Sequence, residues 1–249
     1  MTDQSDIAGW LPGYAYAHRG LHDERVPENS LPAFAAAMEL GLGVECDIRK
    51  SSDGRAIVFH DAELDRLTGR SGPLVARTVG ELTRITLGQT QATIPTLNDT
   101  LDLIAGKVPL LLELKTDRNR PVSPLCRAVR RDLEGYVGLV GVMSFDPRVP
   151  QWFAHKLPGI ARGLVMTEEG ARTLLARFRL RRMIGQSRAQ FVALDVRDLP
   201  SSIAARCARR AMPLASWTVR SAAQLETALE AGCAPIIEGA GVAAWRARA

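Results

Sequence analysis

Residues 43–49, Gly43-Val44-Glu45-Cys46-Asp47-Ile48-Arg49, alternate apolar and acidic side chains. A period of two is the mark of an extended strand, whose successive side chains point to opposite faces. Glu45 and Asp47 share one face, and Val44, Cys46 and Ile48 share the other. Residues 109–114, Pro109-Leu110-Leu111-Leu112-Glu113-Leu114, repeat the arrangement, with Glu113 and the following Lys115 set against Leu112 and Leu114. Strands with an apolar face for covering helices and an acidic face for an interior suit the inner ring of an α/β barrel.

Outward from these two strands, short apolar runs alternate with helical segments. Further strands are expected at 14–18, 137–143, 160–166, 190–196, 213–219 and 235–238, which makes eight. A helix is expected after Ser30, which serves as its cap, with Pro32 in the first turn, Leu31, Phe34 and Met38 on one face, and Gly41 as its stop. Others are expected near 97–105, 123–133, 148–156, 168–183, 201–210, 221–230 and 240–247. Alternating β and α elements imply a parallel sheet. Eight such units in 249 residues fit one (β/α)8 TIM barrel, residues 1–249, in the α/β class. Residues 55–60 read as a further extended piece. The glycine-interrupted stretch after it, about 61–95, reads as a small insertion after the second strand. A doubly wound open sheet is the alternative, weakened because no G-x-G-x-x-G follows the first strand.

Hydrophobic residues make up 46% of the chain and charged residues 24%, ordinary values for a globular protein. With 5% aromatics, a protein built on stacking platforms is not expected. Cys46, Cys126, Cys207 and Cys233 include no C-x-x-C pair, which argues for buried reduced thiols over a zinc or redox motif. The acidic start, Met1 to Asp6, precedes no apolar core of a leader, and no run is long enough to span a membrane; a cytoplasmic location is expected. The net charge of +5 comes almost entirely from arginine, clustered at Arg177, Arg179, Arg181, Arg182 and Arg188 and at Arg206, Arg209 and Arg210. Solvated helix faces are the preferred reading. Weak contact with an anionic membrane surface is the second, and a nucleic-acid partner is not expected.

Titratable residues gather at the predicted strand ends, where such barrels carry their chemistry. They are His18-Arg19-Gly20, Glu45 and Asp47, His60-Asp61, Glu113 and Lys115, and Trp217. Three carboxylates in one interior need compensation. Two readings stand side by side: a hard divalent cation, Mg²⁺, Ca²⁺ or Mn²⁺, or buried salt bridges to Arg19, Arg49 and Lys115. His18 and His60 flanking such a centre suit acid–base work on a phosphate ester. His22 and His155 read as background.

These residues resemble the glycerophosphodiester phosphodiesterase family. The matching residues run in order through Ala17-His18-Arg19-Gly20, Pro27-Glu28-Asn29-Ser30, Glu45-Cys46-Asp47-Ile48, Val58-Phe59-His60-Asp61, Leu64-Asp65-Arg66-Leu67-Thr68-Gly69 and Leu112-Glu113-Leu114-Lys115. Ser144-Phe145-Asp146 and Trp217-Thr218-Val219 also fit. The resemblance implies a barrel with an insertion after its second strand and metal-dependent hydrolysis of glycerophosphodiesters to glycerol 3-phosphate and an alcohol. It implies one divalent cation on Glu45, Asp47 and Glu113, His18 and His60 as the acid–base pair, and Arg19 and Lys115 on the phosphate. It places Phe145 and Trp217 at the substrate. In one family mechanism the glycerol 2-hydroxyl attacks phosphorus to give a cyclic phosphate that water opens. The eighth strand departs from the family's Thr-Asp ending: Ile236-Ile237-Glu238-Gly239-Ala240 puts Glu238 in place of the Asp. A lysophospholipase D-like or other lipid phosphodiesterase working at a membrane surface is the rival activity. A catalytically inactive binding barrel would lack a histidine or carboxylate, and here all are present.

Overall fold

A computed structural model of the chain describes residues 7–117, 119–169 and 173–248. The acidic residues 1–6, part of the helix expected from 168, and the side chain of Arg177 lie outside the described residues. In chain order the elements are β1 (Tyr16–Ala17), α1 (Leu31–Glu39), β2 (Gly43–Lys50), β3 (Ala56–Val58), α2 (Asp65–Thr68), α3 (Val79–Leu82), α4 (Leu97–Ile104), β4 (Leu110–Leu114) and α5 (Ser123–Asp132). They continue as β5 (Val140–Ser144), α6 (Arg148–Lys156), β6 (Ala161–Met166), α7 (Leu174–Ser187), β7 (Phe191–Asp195), α8 (Ser202–Ala208), β8 (Leu214–Val219), α9 (Ala222–Glu230), β9 (Cys233–Ile237) and α10 (Ala240–Arg246).

The strand order is β1-β9-β8-β7-β6-β5-β4-β2-β3, and β1 also pairs with β2. That extra pairing returns the order to its start, so the barrel expectation holds and the open sheet is excluded. Closure removes both unpaired edges that an open sheet would present. β3 hangs outside the ring as an antiparallel partner of β2, with Ile48 opposite Val58.

By contacts the chain divides into two compact units, Ala17–Val140 and Met1–Tyr16 with Gly141–Ala249. In the first, β2 and β4 pair in parallel, with Glu45 opposite Leu111 and Asp47 opposite Glu113. α1 starts where expected, the Ala33 N–H donating to Ser30 Oγ at 3.3 Å. Its buried face is Ala33, Phe34 and Ala37. The apolar Leu31 and Met38, expected on the same face as Phe34, stay half-buried. The insertion contains α2 and α3 and, together with β3 and Phe59 just before it, closes over a shared core: Ile57, Phe59, Leu64, Leu74, Leu82, Leu87 and Ile94.

In the second unit, β5 to β9 pair in parallel in succession. Gly163 of β6 lies opposite Phe191, whose ring fills the space a Cβ would need. Several boundaries differ from expectation: the strand expected at 137–143 is β5, Val140–Ser144, and the helix expected at 201–210 is α8, Ser202–Ala208. The helix expected from 168 begins as α7 at Leu174. Asp198 Oδ2 accepts from the Glu168 N–H at 2.6 Å and from Thr167 Oγ1 at 2.9 Å, which holds that segment outside the helix. The last strand begins at Cys233, opposite Leu214, and ends at Ile237, one residue before Glu238. All four cysteines are buried and free of disulfides. Among the described residues no helix is long and apolar enough to cross a membrane.

Because Leu82 is fully buried in the core shared by β3 and the insertion, Leu82→Ala should destabilise the protein by about 2–4 kcal/mol. A urea titration followed by circular dichroism will read this as a lower midpoint.

Candidate active site

β1 stops at Ala17 because the next residues cannot extend it. Arg19 and Gly20 both have positive φ, 56° and 79°. The Gly20 N–H closes a turn on the Ala17 carbonyl at 3.1 Å. A Cβ on Gly20 would lie 2.8 Å from the Ala33 backbone and from the Phe34 ring. The turn therefore sits directly on α1, and the short strand expected through residue 18 gives way so that half-buried His18 and Arg19 leave the sheet. The Arg19 N–H donates to Glu45 Oε2 at 3.1 Å. Its guanidinium pairs with Asp47 Oδ2 at 3.1 Å and Glu28 Oε1 at 2.7 Å.

Glu45 and Asp47 are 1% exposed and Glu113 is 8% exposed. One oxygen from each of the three lies within 4.8 Å of the other two. Lys115 Nζ bridges Asp47 Oδ1 at 3.0 Å and Glu113 Oε1 at 2.5 Å. Asn29 holds Asp47 twice: its amide donates to Oδ2 at 2.9 Å, and its carbonyl oxygen accepts from the Asp47 N–H at 3.1 Å. Burial opposes ionisation of Asp47, yet Lys115 and Arg19 outweigh it and hold the carboxyl at about 2. Glu45 goes the other way: burial, then the charges of Asp47 and Glu113, push it well above the usual carboxylate range. Burial also raises Glu113, against the pull of Lys115. Three carboxylates face two cations, and Glu45 Oε1 is buried with no hydrogen-bond partner. A buried, under-compensated set of hard oxygen donors is what a divalent cation takes. Both sequence readings are thus partly realised, with one correction. Arg49 does not pair with these acids; its Nε donates to the His60 carbonyl at 2.7 Å.

His60 follows β3 and is fixed at both ends. Its backbone carbonyl holds Arg49, and its Nδ1 lies 2.7 Å from Asp61 Oδ1. A carboxylate on Nδ1 sets the ring's orientation and leaves Nε2 as the basic nitrogen. Burial is the largest influence on this imidazole and lowers its pKa, against the opposing pull of Asp47. Asp61 and Glu28 are joined by Arg66 of α2. Its Nε meets Asp61 Oδ2 at 2.6 Å, and its two terminal nitrogens meet the Glu28 carboxylate at 2.7 and 3.1 Å. One guanidinium from the insertion thereby braces both the His60 imidazole and the Arg19 side chain. Glu28, Asn29, Asp61 and Arg66 received no role from sequence reading. For Asp61 the signal was its place beside His60; for Glu28 and Asn29 it was two polar residues set between Pro27 and a helix cap.

A cavity of about 460 Å³ opens beside Lys115, between the insertion (Glu63, Leu74) and the segment after β4 (Val122, Leu125), with Arg49 on its wall. Phe145, Trp217 and Glu238 belong to the other unit. There the Phe145 and Trp217 rings meet edge to face, centroids 5.4 Å apart. Trp217 Nε1 donates to the Ala193 carbonyl at 3.1 Å. Glu238 pairs with Arg220 Nε at 2.5 Å. His155 lies on α6.

The family model for the glycerophosphoryl diester phosphodiesterase family matches residues 18–238. A glycerophosphodiester phosphodiesterase of Caldanaerobacter subterraneus subsp. tengcongensis is 39% identical over 108 residues, a stretch that covers 40% of this chain and 44% of that protein. The match therefore spans less than half of the curated relative. The solved structure of an Oleispira antarctica phosphodiesterase, in complex with the product sn-glycerol-3-phosphate, superposes with a TM-score of 0.82 at 22% identity, covering 97% of this chain and 98% of that one. A glycerophosphodiester phosphodiesterase from Thermotoga maritima gives 0.74 at 21%, covering 94% and 97%. These structural likenesses show a shared barrel fold.

Gly20→Ala would demand both a left-handed backbone and space already held by α1. It should cost more than about 2 kcal/mol, seen as a fall of several degrees in thermal unfolding.

Proposed function

This chain belongs to the glycerophosphoryl diester phosphodiesterase family, and on that premise we propose that it hydrolyses glycerophosphodiesters to glycerol 3-phosphate and an alcohol, using one divalent cation and a pair of histidines. The observation that carries this reading is the buried set Glu45, Asp47 and Glu113, with Lys115 and Arg19 against it and His60 held beside it.

Glu45, Asp47 and Glu113 are the residues that would hold Mg²⁺, Ca²⁺ or Mn²⁺. When bound, the ion supplies Lewis-acid compensation for charge on the phosphoryl oxygens. Arg19 and Lys115 add two positive charges for the same oxygens, in a site buried enough for each to count. His60, with Nδ1 committed to Asp61, offers Nε2 for proton transfer, and its lowered pKa favours the neutral, basic form near pH 7. His18 is assigned the complementary proton transfer on the resemblance of its motif. One imidazole takes the proton of the glycerol 2-hydroxyl as it attacks phosphorus, and the other returns a proton to the departing alcohol oxygen; water then opens the cyclic phosphate to glycerol 3-phosphate. The cavity beside Lys115 gives room for one arm of the diester. Phe145 and Trp217 are assigned to substrate contact on the resemblance of their motifs alone.

The test is release of glycerol 3-phosphate from glycerophosphocholine and glycerophosphoethanolamine. Activity should vanish after metal removal and return with one of the three ions; full turnover by metal-free protein would overturn the metal reading. His60→Ala and His18→Ala should each lower kcat by about 10²–10⁴-fold, and wild-type rates in either would remove that residue from the chemistry.

Arg66 gives a second measurement. Its side chain is about half exposed, at 49%, so Arg66→Ala should change stability by no more than about 1 kcal/mol. It should nonetheless lower kcat by about tenfold or more, because His60 and Arg19 lose their common brace. Arg66→Lys should recover only part of the rate, since an ammonium cannot serve two carboxylates with a planar fork.

A further inference from the structure

The arginine excess of the second unit is not used by the chemistry above. Residues 170–194 contain six arginines and no acidic residue. Most of this stretch is α7, and its described side chains divide into two faces. Leu180, Met183 and Ile184 are half-buried and Ser187 is buried. Leu175, Phe178, Arg179 and Arg182 are exposed, and 175, 178 and 182 follow one another along a single face at helical spacing. Leu175 is 59% and Phe178 60% exposed. Water-exposed Leu and Phe beside arginines give this one surface both apolar groups and positive charge, the two things an anionic lipid surface can answer together.

The charges on this face are unanswered. Arg179 and Arg182 make no ion pair with an acid among the described residues, and neither does Arg188, which follows the end of α7. Arg181 donates only to Ser202 Oγ, at 3.3 Å. At the far end of α7 a hollow of about 510 Å³ is lined by Gly185, Gln186 and Arg188 together with Arg148 and Gln151 of α6. Arg148 is engaged by Asp146, while Arg188 makes no ion pair among the described residues.

We propose that the outer face of α7 docks this protein on an anionic phospholipid surface, with Leu175 and Phe178 entering the acyl boundary and Arg179 and Arg182 meeting lipid phosphates. Charge complementarity selects this occupant. A second copy would bring the same positive face across a two-fold axis, against like-charge repulsion. Two apolar side chains also fall far short of the roughly 800 Å² per partner that a stable protein interface buries. The proposal concerns binding and stands whether or not the hydrolytic reading holds.

The experiment is co-sedimentation of the full chain with vesicles of phosphatidylglycerol and phosphatidylcholine, against vesicles of phosphatidylcholine alone. Binding is expected to the anionic vesicles only, and to fall steeply as salt is raised. Arg179→Glu with Arg182→Glu should weaken it by at least about 25-fold, taking about fivefold for each arginine near the surface. Leu175→Ser with Phe178→Ser should weaken it by at least about tenfold at constant salt. Hydrolysis of a water-soluble glycerophosphodiester, or the circular dichroism spectrum, should be unchanged in both variants, which shows that they fold. Arg209→Glu with Arg210→Glu carries the same charge change elsewhere and should bind nearly as well as wild type. Absence of binding to anionic vesicles at low salt would overturn the proposal. So would equal loss in the Arg209/Arg210 control, or elution at twice the chain's mass that Phe178→Ser abolishes.

Discussion

Glu45, Asp47 and Glu113 cannot share one buried space without compensating positive charge, and much of the first unit is arranged around that constraint. Two of the acids are successive inward residues of β2, and the third faces Asp47 from β4. The parallel register alone brings them together. Lys115 and Arg19 neutralise Asp47 and hold it ionised, while Glu45 is left in an environment that opposes its charge. The imbalance has chemical content: it creates a place where one more positive charge is stabilising.

The surrounding loops serve this arrangement through very few residues. Pro27-Glu28-Asn29-Ser30 is four residues long, and three of its side chains do separate things. Glu28 receives Arg19 and Arg66, Asn29 receives Asp47 from both sides, and Ser30 caps α1. The positive φ of Asn29, 54°, is what lets its side chain turn back toward β2 while Ser30 begins the helix. Such a conformation is uncommon outside glycine and is tolerated best by Asn and Asp.

The insertion has a mechanical reason to be well packed. A brace made by Arg66 is only as accurate as the element that carries it, and α2 is a single turn of helix. Its neighbours Leu64 and Leu67 tie it to the cluster of Phe59, Leu74 and Leu82. Phe59 is adjacent to His60, and its N–H donates to the Asp47 carbonyl at 2.9 Å. The apolar core of the insertion and the polar site therefore share one stretch of backbone.

The alternation of 43–49 and 109–114 determined by itself that Glu45, Asp47 and Glu113 face one way, because side-chain direction in a strand follows from local geometry. The same is true of the Ser30 cap and of most element boundaries. Local rules also carried the recurrence of eight βα units, and with it the barrel. Three kinds of fact were decided only in the tertiary structure. The Asp198 bonds that delay α7 join residues thirty apart. The Arg66 bridge to Glu28 spans 38 positions. The exposure of Leu175 and Phe178 depends on which side of α7 the rest of the unit covers. A hydrogen bond or a buried face between distant segments leaves no periodicity in the chain, since its partners are chosen by packing and not by spacing.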